Sequence, residues 1–506
     1  MQATYRAMIG PENDKAYLYF AVMGQLFGQL ERRLFVDRYF LGRGWAKLKH
    51  EYIFKYGITA RQFNSVYNSL AGKVSSAKEN MRYRERNLTG QIESVQRFIK
   101  QKEKARNKAV QRLKNLKQGT EDWETAVRKL ARIKLVLHEK KRRLRNLRQG
   151  LNSLKKEVTG EKYRICFGRR KLFKAQFNLE ANGYHDHEQW LKAWRQARSS
   201  GFFVIGSKDE TCGNQTCTYT ADNMLRVRVA ERFRKEFGIH IQIPGVAFVY
   251  GQEQLDAARR PVVVKTGGRA KKVYKAVSYR FVCREGRWYL HSTVEREDPA
   301  PVTSRWNGAV GLDLNSGLLS VGEIDRYGNP VSEFKIPVPM RDRSTEQIEA
   351  ALGDAMKGAV EYARFRGKPV VIEFLDFGKK KQSLGEQGAG YARMLSGLVY
   401  AKYRRMAASA AARAGVELIR INPFATSVIG QLNFMPRYGL SSHGAAACVI
   451  ARRGLGLRLE KAITGNGFPL PERKRTTRGN YWLRVCRSVR KMRFADRLDL
   501  SYAARF

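Results

Sequence analysis

The chain has 506 residues, and its 96 Lys plus Arg against 46 Asp plus Glu give a formal net charge of +50. A hydrophobic content of 43 % supports real cores and excludes a disordered tail protein. No apolar run approaches the ~18 residues that a spanning helix needs, so a membrane partner is set aside, and the cationic excess along the whole chain calls for a polyanion.

The length suits roughly three domains at ~150 residues each. No signal peptide opens the chain, and the cysteines at 166, 212, 217, 283, 448 and 486 are scattered, so reduced thiols in a cytoplasmic protein are expected. Cys212 and Cys217 have a Cys-x4-Cys spacing that does not suit a zinc knuckle, although His185 and His187 lie upstream to complete a site in principle.

The N-terminus, Ala3 to Pro11, reads as a short strand entering a turn. Apolar spacing near 3.6 predicts helix over most of 14–80. Between Met81 and Gly160 the chain is strongly basic. Ile92, Val95, Ile99, Leu113 and Leu116 mark one apolar stripe; Ile133, Leu137, Leu144, Leu147, Leu151 and Leu154 mark another, broken by Lys140. Gly119 and the acidic run Glu121-Asp122-Trp123-Glu124 separate them, acids being favourable at a helix start. The pattern predicts an antiparallel helical hairpin with a wet, basic side, and Lys141, Arg142, Arg143 and Arg145 are candidate nucleic-acid contacts. A plain solvated coiled coil is the alternative.

Residues 161–300 carry short alternating strands near 201–206, 216–220, 225–229, 277–283 and 286–294, which predicts a small β-barrel or sandwich. From Asn307 the pattern becomes α/β: strands at 308–314, 317–324 and 331–337, a helix at 345–365, a strand at 369–376, a helix at 390–414, a strand at 416–421 and a last helix at 443–456. Three antiparallel-capable strands followed by alternating helix and strand is the order of the ribonuclease H-type fold. A basic tail follows Gly465, with Arg473-Lys474-Arg475 and Arg490-Lys491, and is expected to extend over nucleic acid.

Two carboxylates stand out within this last region. Asp313 lies between Leu312 and Leu314, and Glu373 between Ile372 and Phe374, each interrupting an apolar strand. A carboxylate so placed must be paired, hydrogen-bonded or metal-bound. Two of them on neighbouring strands form a hard-oxygen site suited to Mg2+ or Mn2+. A third ligand is expected from the last helix, where Ser442 is a candidate N-cap and His443 falls in the first turn. Lys379-Lys380-Lys381 follows the Glu373 strand, and Arg452 and Arg453 lie on the last helix; all five are candidate phosphate contacts or solvated charges. Asp376, three residues beyond Glu373, reads as a strand-end turn residue. An acidic pocket on so basic a body is what a phosphodiester-cutting enzyme needs.

Gly311-Leu-Asp-Leu-Asn315, Val371-Ile-Glu373 and His443-Gly-Ala-Ala-Ala447 followed by Ile450-Ala-Arg-Arg453 resemble the three split RuvC motifs of the TnpB (OrfB) family, transposon-encoded relatives of type V CRISPR effectors. Asn422-Pro-Phe-Ala-Thr-Ser427 is similar to the lead into the third motif. The motifs cover roughly 307–456, and Arg437 to Ala447 most resembles a divergent TnpB-related subgroup. The resemblance implies an RNA-guided DNA endonuclease of a prokaryotic, nucleoid-associated kind. Asp313, Glu373 and His443 would hold two Mg2+ ions, while a guide RNA pairs with target DNA. It further implies a multidomain α+β organisation: a first wedge strand at 1–15, a helical recognition lobe at 16–160, a wedge β-barrel at 161–300, a RuvC-like nuclease domain at 301–465 and a basic extension at 466–506. Two departures stand out. The family usually has Asp where this chain has His443, and no Cys lies between Glu373 and His443, where the family usually carries zinc-ribbon cysteines. The same features fit a guided DNA-binding protein without cleavage, and the charge alone fits a structural RNA-binding protein. Monomer and dimer are equally open.

Overall fold

Phe20, on the first long helix, meets Phe202, Phe281 and Trp288 at ring-centroid distances of 5.7, 4.7 and 5.4 Å. This aromatic cluster organises the first of two units, Met1–Glu297 and Asp298–Phe506, in the computed structural model. The structure describes residues 2–160, 163–266, 269–297, 299–315, 317–340, 342–374, 400–457 and 478–492. Among them no helix is long and apolar enough to cross a membrane.

The first unit begins with strand β1 (Gln2–Met8) and helices α1 (Asp14–Tyr39), α2 (Trp45–Tyr56), α3 (Ala60–Lys114) and α4 (Glu121–Thr159). Glycines let α1 lie close to its neighbours: a Cβ on Gly24 or Gly28 would meet the carbonyl oxygen of Ser199 or Arg198 at 2.3 or 2.2 Å. The hairpin expected from the apolar stripes is present. Thr59 and Gln62 form a capping box at the start of α3, and the Thr120 hydroxyl accepts the Trp123 N–H at the start of α4. Val95, Ile99 and Leu137 are buried along the seam, with Ile133, Leu144 and Leu147 packed on them. Lys140, which interrupts the stripe, lays its ammonium over the Phe98 ring at 5.1 Å.

The strands that follow are β2 (Gly201–Val204), β3 (Cys217–Tyr219), β4 (Leu225–Arg228), β5 (His240–Ile243), β6 (Val262–Thr266), β7 (Arg269–Val273), β8 (Val277–Arg284) and β9 (Arg287–Glu295). The expected closed barrel is not found among the described residues. The strands form an open sheet in the order β1-β9-β8-β2, a three-stranded sheet β3-β4-β5 and the hairpin β6-β7. The physical reason is that Phe20 and its neighbours on α1 cover the apolar face carrying Phe202, Phe281 and Trp288, so no second sheet or closure is needed to bury it. A helix at His187–Ser199, capped by Asp186, was also absent from the sequence expectation.

In the second unit, β10 (Ala309–Asn315), β11 (Leu318–Ile324), β12 (Pro330–Pro337), β13 (Val370–Glu373) and β14 (Leu418–Ile421) form one sheet in the order β12-β11-β10-β13-β14. The first three pair antiparallel; β13 pairs parallel with both β10 and β14. Side-chain alternation splits the sheet into two apolar layers. Val310, Leu312, Leu314, Val370 and Ile372 face the helices Thr345–Phe365 and Tyr400–Ala414. Ala309 and Val371 face the helix Ser442–Gly454. The helix Arg478–Lys491 packs in this second layer, with Trp482 1 % exposed beside buried Val485 and Val489. That part of the basic tail is therefore core; Arg473-Lys474-Arg475 lie outside the described residues.

Candidate active site

Leu312 pairs with Ile372 in the parallel register, so Asp313 and Glu373 come next, side by side at the carboxyl ends of adjacent strands. Their alternation with Leu312 and Ile372, which point into the opposite layer, places both carboxylates on the face covered by the Ser442–Gly454 helix. The carboxyl ends of parallel strands are the usual place for a ligand in open α/β sheets.

That helix lies against the sheet because of glycine and alanine. A Cβ on Gly311 would stand 1.9 Å from the Ala447 carbonyl oxygen, and one on Gly322 would stand 2.7 Å from the Cys448 nitrogen. Ala445, Ala446 and Ala447 are buried against this surface. Ser441, not Ser442, is the N-cap: its backbone is extended and its hydroxyl accepts the Gly444 N–H at 3.2 Å. Adjacent serines offered the same cap in the sequence, and tertiary contacts choose between them. His443 is still in the first turn. Its Nδ1 lies 3.8 Å from Asp313 Oδ2, with 43 % of the imidazole and 14 % of the aspartate side chain exposed.

Each carboxylate has a neighbour that holds it. Asn315 Nδ2 donates to Asp313 Oδ2 at 2.8 Å. The Thr426 hydroxyl donates to Glu373 Oε1 at 2.5 Å. Neither partner was singled out in the sequence, although both sit inside the quoted motif stretches. Ser320 pairs with Asp313 across the β10/β11 ladder, and its hydroxyl is buried with no hydrogen-bond partner among the described residues.

Among the described residues, no three His, Cys, Asp or Glu side chains converge as a metal-holding group. The donor chemistry nevertheless fits Mg2+ or Mn2+: two carboxylates share a face and a ring nitrogen looks across at one of them. The 3.8 Å between His443 and Asp313 exceeds a direct hydrogen bond. Of the zinc candidates, Cys217 is wholly buried in the first unit's core and His187 packs on Trp190.

Other candidate residues separate into three groups. Arg142 and Arg145 are exposed on α4; Lys141 pairs with Glu103 of α3 at 2.8 Å, and Arg143 is half-buried. Arg452 and Arg453 are held within the unit. Arg452 Nη1 donates to the Gly328 carbonyl at 2.6 Å and its guanidinium lies 5.3 Å from the Phe434 ring centre, while Arg453 Nη1 donates to the Asn422 carbonyl. Burial lowers the Arg453 pKa, partly offset by the negative charge of Glu373. Lys379, Lys380, Lys381 and Asp376 lie outside the described residues.

No protein-family model matches the chain, and no curated protein matches it. Among solved structures, it is similar to one described as the Thermus thermophilus RuvC structure, at 18 % identity over 28 % of this chain and 90 % of that one, with a TM-score of 0.21. A likeness so slight carries no argument.

Proposed function

We propose that this protein is an RNA-guided DNA endonuclease that hydrolyses phosphodiester bonds at Asp313, Glu373 and His443 with Mg2+, or Mn2+ in its place. The observation that carries the reading is the pair of carboxylates at the ends of adjacent parallel strands, with His443 Nδ1 3.8 Å from Asp313. Divalent cations held by these three residues would supply positive charge against the phosphate and its leaving oxygen. Asn315 and Thr426 orient the carboxylates, and the apolar layer beneath Leu312 and Ile372 fixes the strands that carry them. RNA guidance rests on the three motifs in order and on the net charge of +50. On this reading base pairing reads sequence, and the protein grips nucleic-acid backbone through the α3–α4 hairpin and the β-strands of the first unit. The domain divisions expected from the resemblance belong to the same proposal.

A second reading, guided DNA binding without cleavage, is favoured by one observation: His443 stands where the resembled family usually has Asp, and imidazole is a poorer Mg2+ ligand than carboxylate. Sequencing the RNA that copurifies with the protein tests guidance directly. A single abundant RNA with a fixed scaffold and a variable end is expected; a heterogeneous cellular mixture would overturn guidance in favour of non-specific RNA binding.

A further inference from the structure

The row Gly311–Gly322–Glu333 runs straight across β10, β11 and β12 beneath the Ser442–Gly454 helix. Two residues without side chains let the helix settle, and the third reaches its first turn with a carboxylate. Glu333 Oε1 accepts the Ser441 N–H at 2.9 Å, and Oε2 accepts the Ser441 hydroxyl at 3.2 Å. The same hydroxyl accepts the Gly444 N–H at 3.2 Å, so the carboxylate holds Ser441 and Ser441 in turn holds the far end of the segment 441–444. His443 lies inside that segment. A carboxylate also suits the positive end of a helix, where unpaired N–H groups gather.

Gly444 completes the device. A Cβ at this position would stand 1.2 Å from Glu333 Oε2, so only glycine leaves the carboxylate its place. Glu333 lies on an edge strand, two strands away from Asp313, and no local pattern in the sequence links it to the site.

The geometry points to Glu333 as a positioning residue that holds His443 against Asp313, an inference that rests on the nuclease reading above. It acts through Ser441 and the first helical turn, and it takes no part in the chemistry. Residues that orient ligands from behind typically change metal affinity or activity by 10–100-fold.

The test uses the full chain with histidine-labelled NMR and Mn2+ as the probe. The protein has 7 histidines, and His443→Ala assigns the signal of interest. In the wild type, Mn2+ broadens the His443 ring signals. In Glu333→Ala the half-broadening concentration should rise about 10-fold or more. Glu333→Gln keeps an acceptor for the Ser441 N–H and should recover most of the loss. Gly444→Ala leaves Glu333 in the chain but swings its carboxylate away, so it should match Glu333→Ala while the protein stays folded. Equal broadening in wild type, Glu333→Ala and Gly444→Ala would overturn the role of Glu333 alone. Absence of broadening in the wild type would overturn the metal site itself and this inference with it.

Discussion

Gly311→Ala is the sharpest test of how the site is built. The new Cβ would stand 1.9 Å from the Ala447 carbonyl oxygen and 2.8 Å from the Ala451 nitrogen, both backbone atoms of the site helix. To restore the 3.4 Å of ordinary contact, the helix must retreat by about 1.5 Å, and it cannot yield by a rotamer change. Overpacking of this kind costs roughly 1–3 kcal/mol. On the nuclease reading cleavage should fall as well, by about 100-fold, because His443 rides on the same helix and a ~1 Å misplacement near reacting groups can cost that much. Thermal unfolding and metal-dependent cleavage, measured beside Gly358→Ala, check this. Gly358 has open space around it within a helix, so its alanine should gain up to about 1 kcal/mol and leave cleavage intact. If Gly311→Ala kept both wild-type stability and wild-type cleavage, the close packing of helix on sheet would be refuted.

Glu323 is 1 % exposed and accepts from Arg366 at 2.9 Å, from Tyr362 and from the buried ammonium of Lys368. Glu323→Gln should destabilise the second unit by roughly 3–5 kcal/mol in denaturant unfolding at neutral pH, because Lys368 is left buried without its counter-ion. Burial raises the Glu323 pKa, but the hydrogen bonds from Lys368, Tyr362 and Arg366 outweigh it and hold the group below the ordinary range. Its contribution is therefore full above the unfolded carboxyl value near ~4.3 and is lost as pH falls through the lower folded value, so the wild-type advantage should shrink in acid. Trp482→Ala should cost about 3–5 kcal/mol by the same assay; a negligible change would mean that the Arg478–Lys491 helix is an accessory and not core. Arg142→Ala and Arg145→Ala, at exposed hairpin positions, should each lower the slope of log affinity against log salt by about 1, with no loss of fold. An unchanged slope would remove the hairpin from the nucleic-acid interface.

Much of this architecture was legible because it repeats at short range. Asp313 and Glu373 stand out since each interrupts a short apolar run, and the hairpin stripes announce their own seam. The 482, 485 and 489 spacing was equally readable as a helical stripe, but basic composition masked it. What the sequence could not convey is register. Glu333 reaches Ser441 only because Gly311, Gly322 and Glu333 align across three strands. Glu373 meets Thr426 only because the chain turns back after β14. The barrel expectation failed for a related reason: alternating strands show that one face is apolar, not whether a sheet or a helix covers it. The N-cap moved by one residue because Glu333 engages Ser441, a choice invisible in two adjacent serines.

The central claim is that Asp313, Glu373 and His443 cut DNA under RNA guidance. Its most direct test reconstitutes the protein with its copurified RNA and presents a matching target with Mg2+ or Mn2+, beside Asp313→Ala and Glu373→Ala. Cleavage of the matched target by the wild type alone, with target binding kept in both variants, is the expected result. Binding of the matched target without cleavage in either metal would contradict the enzyme and leave the guided binder in its place.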